Sequence, residues 1–132
     1  MKTLFTANVV SFAAALATIR VSADDRRELP AVVVVSSEHC GPCHNLRAAW
    51  DEAIPADSPG HAWRRWILEN YRVKFVDWKT LSESDRDAVR TVPAVFIHPT
   101  RRGRVRAGPL DLPVAKKQTA VAAFGSLLYR KH

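Results

Sequence analysis

The stretch AVVVVSSEHCGPCHNL, residues 31–46, joins an uninterrupted run of β-branched residues to two cysteines that are separated by two other residues. The run is too apolar to alternate, which predicts a central strand buried on both faces. After the second cysteine, apolar residues recur at helical spacing from Leu46 to Ala53, and Pro55 ends the pattern. The sequence therefore predicts a buried strand, a short turn and a helix whose first residues include the cysteine pair.

The cysteine pair is compatible with two kinds of chemistry. Together with the histidine that follows, Cys40, Cys43 and His44 match a CxxCH haem-attachment signal, whereas CGPC alone at a helix start is a dithiol redox centre. A haem would need a second axial ligand, but the single methionine is Met1 and no other histidine stands in a context typical of one. Small c-type cytochromes are also helical, while a strand precedes this motif. These observations favour the dithiol.

A metal site is a further alternative, because His39, Cys40, Cys43 and His44 carry suitable donor atoms. Structural zinc sites usually draw their ligands in pairs from two separate segments. The sequence has no second pair of this kind. We therefore expect no metal at this motif.

The first residues have the layout of an export signal. Lys2 precedes an apolar run over residues 4–19, and small residues at the cleavage-site spacing end at Ala23. We expect residues 1–23 to be a signal peptide and residues 24–132 to form one domain that is periplasmic or secreted. The alternative is that residues 4–19 stay uncleaved as a membrane anchor. Both cysteines lie in one motif, and a disulfide across so short a loop stabilises little, so we expect the pair to serve chemistry.

The middle of the chain alternates predicted helices and strands. Residues 61–71 predict a helix whose two tryptophans favour packing in the core over a partner-docking face. Residues 72–78 alternate as a strand does. A capping box from Thr80 to Glu83 then predicts a short helix.

The last third of the chain predicts a strand, a hairpin and a closing helix. TVPAVFIHP, residues 91–99, is an apolar strand that begins at a proline, and a turn around Gly103 leads into a short edge strand that Gly108 closes. The arginines of this hairpin have no interleaved aromatic residues, which predicts a solvated edge and no nucleic-acid site. The predicted apolar face of the closing helix consists of Val114, Val121, Ala122, Phe124, Leu127 and Leu128. The whole order predicts an α/β fold with a mixed sheet of about four strands flanked by helices.

In these features the chain resembles the thioredoxin superfamily over residues 31–130. A buried strand leads into CGPC at a helix start, and TVPAVFI matches the cis-proline loop of that family with Pro93 in the place of the cis-proline. Gly103 and Gly108 match the glycines of the terminal hairpin and the turn that follows it. The resemblance implies a trimmed thioredoxin-like fold, because the family's N-terminal strand and helix have no counterpart, and it implies an insertion over residues 55–71.

The resemblance also implies that the dithiol exchanges with disulfides. Cys40 would attack a substrate disulfide, because the unpaired N–H groups and the dipole of a helix N-terminus favour its thiolate. Cys43, one turn further along, would resolve the mixed disulfide. Gly41 and Pro42 complete the motif, and Pro42 fixes the first helical turn without removing a useful donor.

Residues around the dithiol receive roles from the same resemblance. Val92 and Pro93 would present a backbone edge on which an extended substrate pairs. The polar neighbours that are candidates for tuning the thiolate are Glu38, His39 and His44. His39 replaces the tryptophan typical of thioredoxins, and Val34 stands where they have a buried aspartate. The sequence therefore does not identify the group that moves the proton.

The function that the resemblance implies is thiol–disulfide oxidoreductase activity on protein disulfides. The Gly-Pro dipeptide within CGPC favours use as a reductase or an isomerase over an oxidase, because strongly oxidising members of the family usually carry other dipeptides. His39 and the expected export favour the oxidising direction instead. The expected partners are disulfide-containing protein substrates and a second redox partner that recharges the dithiol, with no cofactor, no nucleic acid, and a membrane only if residues 4–19 stay uncleaved. The net charge of +7 favours acidic partners without identifying them. The main alternative is a non-catalytic binding module of the same fold, which would not need both cysteines.

Overall fold

A four-stranded mixed β-sheet lies at the centre of the structure, a computed structural model that describes residues 29–100 and 105–132. The strands are β1 (Ala31–Ser36), β2 (Arg72–Asp77), β3 (Ala94–His98) and β4 (Ala107–Asp111). The helices are α1 (Gly41–Glu52), α2 (His61–Asn70), α3 (Glu83–Ala88) and α4 (Ala120–Lys131). The order of strands across the sheet is β2–β1–β3–β4. The predicted α/β architecture, a mixed sheet of about four strands flanked by helices, is confirmed.

The strand β1 is central, with a neighbouring strand on each side and apolar packing on both faces. It pairs in parallel with β2 and antiparallel with β3. Val34 and Val35 are both fully buried, and they belong to apolar clusters on opposite faces of the sheet. A short turn joins β1 to α1, so the strand fixes where the first residues of that helix lie.

The helices α1 and α4 cover the face of the sheet with the larger apolar cluster. Trp50 of α1 packs against Phe124 of α4 with ring centroids 5.7 Å apart, and against Phe75 of β2 at 6.0 Å. Leu46 and Leu128 are fully buried beside them. The helical spacing of apolar residues after the cysteines therefore marks the side of α1 that faces the sheet.

Residues 55–71, the stretch predicted to be an insertion, include α2, which packs against α4. Ile67 is fully buried. Trp63 lies so close to Gly125 of α4 that a Cβ atom on this glycine would be 2.2 Å from Trp63 Cε3. Trp66 packs against the same core from a partly buried position. Both tryptophans thus pack against the body of the domain, as the core-packing interpretation predicted.

The predicted capping box at Thr80 is wrong, because α3 begins after Ser82. Ser82 Oγ accepts the Asp85 N–H at 3.3 Å. Thr80 lies instead in a 3₁₀ turn, where its hydroxyl donates to the Asp77 carbonyl oxygen at 2.7 Å. The Asp77 carboxylate caps that turn, so the chain completes the turn before the helix can start.

The prediction that Gly108 closes the edge strand is also wrong, because Gly108 lies within β4. Its φ is 120°, and a Cβ atom at this position would lie 2.6 Å from the Val95 carbonyl oxygen. The glycine therefore allows β4 to approach β3 beside the register shift between Val95 and Ile97. Pro109 is tolerated because β4 is at the edge of the sheet. Gly103 lies outside the described residues.

The closing helix begins later than predicted, at Ala120. Leu112 and Val114 are buried while the residues on either side of Val114 are exposed, which is the alternation of an extended segment. A 3₁₀ turn over Lys117–Thr119 then leads into α4. Within α4, Ala122 is only partly buried. The other residues of the predicted apolar face in α4 are buried, namely Val121, Phe124, Leu127 and Leu128.

No helix within residues 29–100 and 105–132 is long and apolar enough to cross a membrane. The predicted signal peptide at residues 1–23, and the alternative anchor over residues 4–19, lie outside the described residues. Both stay predictions, as does the start of the domain at residue 24.

Candidate active site

Cys40 and Cys43 form a disulfide at the N-terminus of α1. Cys40 is the N-cap residue of this helix, and its Sγ accepts the Cys43 backbone N–H at 3.1 Å. Pro42 lies in the first turn, where a backbone N–H would have no acceptor within the helix, so the proline removes no helical hydrogen bond. When the disulfide is reduced, the same N–H group and the helix dipole favour the thiolate form of Cys40.

The two residues between the cysteines lie at the surface. Gly41 and Pro42 are exposed, and a Cβ atom on Gly41 would meet no atom within 4 Å. Cys40 is 9% exposed and Cys43 is 5% exposed. Cys40 is thus the slightly more exposed residue of the pair, which is compatible with attack by Cys40 and resolution by Cys43.

A cis peptide bond between Val92 and Pro93 lies beside the disulfide. The carbonyl oxygen of Val92 is 3.5 Å from Cys40 Sγ. The carbonyl oxygen of Pro93 accepts the Leu112 N–H at 3.1 Å, just beyond the end of β4. The loop is thus held between the disulfide and the edge strand of the sheet.

Two clefts flank Val92. Residues that line the first include Pro42, Pro93 and Pro113, and residues that line the second include Ser37, Trp78 and Arg90. Side chains of an extended strand point alternately to opposite sides. A substrate segment that paired with the Val92 backbone would therefore find space on both sides.

Glu38 is the centre of the polar contacts around the motif. Its carboxylate lies 3.0 Å from Lys79 Nζ and 3.5 Å from His39 Nε2. His44 Nε2 lies 2.7 Å from the Glu38 carbonyl oxygen. The hydrogen bond from Lys79 to Glu38 raises the pKa of Lys79, and the charges of Glu38 and Asp77 add to this effect. These contacts hold the exposed turn that precedes the disulfide.

A half-open cavity of about 220 Å³ lies beside Cys43. Val34 and Phe75 form an apolar part of its lining. Val34 is fully buried and lies in register with Phe75 of β2. The guanidinium of Arg47 lies over the Phe75 ring, with Cζ 4.5 Å from the centroid. Asp77 contributes to the polar part of the lining. The cavity therefore joins Cys43 to charged groups at the surface.

The structure places the residues singled out from the sequence in one region around the disulfide: Glu38, His39, Cys40, Gly41, Pro42, Cys43, His44, Val92 and Pro93. Sequence reasoning missed Lys79, which pairs with Glu38, and Asp77, which lines the cavity. The parallel strands β1 and β2 end side by side, with Ser36 opposite Asp77, at the edge of the sheet where the motif begins. That shared edge is the signal that could have indicated both residues.

The fold bears on the alternatives to a dithiol. The motif follows the central strand of a mixed sheet, which differs from the helical architecture of small c-type cytochromes and so disfavours haem attachment. Within the part of the chain that the structure describes, no three or more side chains of His, Cys, Asp or Glu are grouped so that they could hold a metal ion.

Solved structures that are similar to this chain include thioredoxins and related proteins. The Trx4 domain of ERdj5 is 17% identical, covering 79% of this chain and 80% of that one with a TM-score of 0.48. The germline-specific thioredoxin Deadhead of Drosophila melanogaster is 13% identical, covering 87% and 92% with a TM-score of 0.48. A disulphide isomerase from Xylella fastidiosa Temecula1 is 18% identical, covering 87% and 91% with a TM-score of 0.48. No protein-family model and no curated protein sequence matches the chain.

The topology and the local geometry of the chain identify its fold. The sheet has the order β2–β1–β3–β4, with one parallel and two antiparallel pairings. A CGPC disulfide lies at the start of the helix after the central strand, and a cis-proline directly precedes the adjacent antiparallel strand. The chain therefore has a thioredoxin-like fold with a CxxC disulfide at the N-terminus of its first helix.

Proposed function

We propose that the chain is a thiol–disulfide oxidoreductase that acts on protein disulfides. The observation that carries the proposal is the Cys40–Cys43 disulfide at a helix N-terminus, with the Cys43 N–H directed at Cys40 Sγ. This arrangement favours a reactive thiolate and keeps a second thiol within reach of it. The Val92 carbonyl oxygen beside Cys40 Sγ supplies a backbone edge on which the substrate segment can pair.

In the reducing direction, the Cys40 thiolate attacks one sulfur of the substrate disulfide. A Cys40–substrate disulfide forms, and the other substrate sulfur leaves as a thiolate that takes up a proton. Cys43 then loses its proton and attacks Cys40 Sγ, which releases the second substrate thiolate and forms the Cys40–Cys43 disulfide. The substrate gains two electrons, so a separate thiol donor must reduce the dithiol again before the next turnover.

The test is insulin reduction with dithiothreitol as the thiol donor. Wild type is expected to accelerate the reaction, and Cys40→Ser to abolish the acceleration. Cys43→Ser is expected to accumulate a Cys40–insulin disulfide that is visible on a non-reducing gel. Full activity of Cys40→Ser would show that Cys40 is not the nucleophile. A wild type that is inactive and has no Cys40 thiolate below about pH 8 would support a binding module instead, because catalytic thiolates of this kind form below about pH 7.5.

We also propose that the protein works in the reducing direction, because the motif is CGPC. Its reduction potential, measured by equilibration with glutathione, is expected to lie below about −230 mV, the lower end of the glutaredoxin range. A potential near about −120 mV would place the protein among strong oxidants and reverse the proposed direction.

We further propose that the protein is exported and that residues 1–23 are removed. The support is the apolar run over residues 4–19 followed by small residues that end at Ala23. Intact mass measurement of the protein recovered from cells is expected to give a chain that starts at residue 24. A full-length chain in the membrane fraction would identify residues 4–19 as an anchor.

A further inference from the structure

Asp77 lines the cavity beside Cys43, although it belongs to neither the CGPC motif nor the Glu38–Lys79 ion pair. It is the last residue of β2, and pairing of the parallel strands β1 and β2 places it opposite Ser36. Ser36 lines the same cavity. The register of the two strands thus brings a carboxylate from a distant part of the sequence to the cavity that Cys43 also lines.

The resolution step requires Cys43 to lose a proton before it attacks. Cys43 is largely buried, so the proton must leave through the cavity that adjoins it. Val34 and Phe75, which lie in register with each other at the apolar part of the cavity, carry no group that can accept it. The acceptor is therefore to be sought in the polar part of the lining.

The charged and titratable side chains in that part of the lining are Glu38, His44, Arg47 and Asp77. Glu38 is paired with Lys79 at 3.0 Å, and His44 Nε2 lies 2.7 Å from the Glu38 carbonyl oxygen. The guanidinium of Arg47 stays protonated and cannot act as a base. Asp77 accepts the Lys79 backbone N–H through Oδ1 at 2.8 Å, and its other carboxylate oxygen, Oδ2, takes no part in this hydrogen bond.

We propose that Asp77 is the proton acceptor for Cys43, through water in the cavity. During resolution the Cys43 proton passes to the Asp77 carboxylate, and the Cys43 thiolate attacks Cys40 Sγ. The departing substrate thiolate then takes the proton from Asp77, so that the carboxylate is restored and no oxidant or further reductant is consumed. This role rests on the proposed oxidoreductase function and adds the group that moves the proton.

The first test measures how fast a preformed Cys40–substrate disulfide resolves, as a function of pH. Asp77→Asn keeps an oxygen that can accept the Lys79 N–H, so the 3₁₀ turn is preserved. We expect resolution in this variant to be about tenfold slower or more near pH 6–7, because general base catalysis typically contributes a factor of about 10²–10⁴ and transfer through water is less efficient. The difference is expected to shrink towards about pH 9, where a cysteine of ordinary pKa ionises without a base.

The second test measures the Cys43 thiol itself, from the pH dependence of its alkylation by iodoacetamide in the Cys40→Ser background. The negative charge of Asp77 raises the pKa of a nearby thiol. Adding Asp77→Asn is therefore expected to lower the Cys43 pKa by about 0.5–1 unit. Asp77→Glu is expected to restore much of the resolution rate. Asp87→Asn, which removes an exposed carboxylate on α3, is the control and should change neither quantity.

The outcomes separate this proposal from the proposed function. If wild type exchanges disulfides while Asp77→Asn resolves at the wild-type rate with an unchanged Cys43 pKa, the role of Asp77 is wrong and the oxidoreductase function stands. If wild type itself forms no mixed disulfide through Cys40, both proposals fail. Unchanged thermal unfolding of Asp77→Asn would show that a slower rate does not come from loss of the fold.

Discussion

Replacement of Gly108 by alanine is expected to destabilise the protein strongly, although the change adds only one methyl group. Gly108 has a φ of 120° within β4, and an added Cβ atom would lie 2.6 Å from the Val95 carbonyl oxygen. It would also lie 3.0 Å from Phe96 Cδ1 in a buried part of β3. The nearest obstacle is a backbone atom, which no change of rotamer can move aside.

The expected loss in the free energy of unfolding follows from three contributions. The unfavourable backbone conformation costs an alanine about 1–3 kcal/mol. Relief of the overlap with Val95 requires β4 to shift, at about 1–3 kcal/mol. The lower entropy of the unfolded alanine chain offsets about 0.4–1 kcal/mol. The net loss is about 1–6 kcal/mol, a large fraction of the about 5–15 kcal/mol typical of a folded domain.

The assay is urea unfolding of the oxidised protein, followed by the fluorescence of its tryptophans. Gly41→Ala is the matched control, because a Cβ atom there meets nothing within 4 Å and its φ is not positive. The control is expected to lose no stability and to gain about 0.4–1 kcal/mol from the same lower entropy of the unfolded chain. If Gly108→Ala lost less than about 1 kcal/mol, the close approach of β4 to β3 would not be the reason for a glycine at this position.

Three further changes test the packing and the electrostatics of the domain. Arg106→Gln removes two hydrogen bonds to Asp85, at 2.8 and 3.0 Å, that lower the pKa of this carboxyl. The stability that the pair adds is present above the ordinary aspartate pKa and disappears as the pH falls through the lower pKa of the folded state. Urea unfolding should therefore show that the stabilities of variant and wild type converge in acid. The same variant should raise the pKa of His98, which burial and the charge of Arg106 lower, as NMR titration would show. Phe124→Ala, at a fully buried position, should cost about 3–5 kcal/mol in urea unfolding, and a loss under about 2 kcal/mol would contradict the packing. Val34→Asp should be less stable than Val34→Asn at pH 7 by about 2–4 kcal/mol, because burial raises the pKa of the introduced carboxyl in the native state. The native state then binds more protons than the unfolded state, so urea unfolding should show that the difference shrinks from pH 7 towards pH 4.

The strand and helix around the dithiol were predictable because their signals are local. The apolar run of β1, the CGPC motif and the helical spacing up to Ala53 all lie within a short stretch of sequence. Burial of β1 on both faces follows directly from a run that does not alternate. No contact with a distant residue is needed to derive this part of the fold.

The edge strand and the start of the last helix were not predictable in the same way. Gly108 adopts its conformation because β4 approaches Val95 across the sheet, and a glycine in the sequence is equally compatible with a turn. Val114 fits a helical face by spacing but is buried from an extended segment before α4. Tertiary packing decides both cases, and the local pattern is compatible with either result.

The polar surroundings of the dithiol depend on the register of two strands. The Lys79–Glu38 hydrogen bond joins residues 41 positions apart. Asp77 reaches the cavity only because β1 and β2 pair in parallel with Ser36 opposite it. A single sequence indicates that both strands exist but does not reveal their register, so these two neighbours of the site became visible only in the structure.

The dithiol and the Val92 backbone, on which a substrate segment is proposed to pair, adjoin two neighbouring strands with five paired positions between Ala31–Val35 and Ala94–His98. The conformational entropy of these segments, about 1–2 kcal/mol for each residue, is therefore lost when the protein folds and not when a substrate arrives. Binding then orders little besides the substrate segment itself. Among substrates that make the same contacts, those whose cysteine lies in an already extended segment should bind more tightly than flexible ones. Under the proposed function, the rigidity of the sheet would thus favour substrates that are already ordered before they bind.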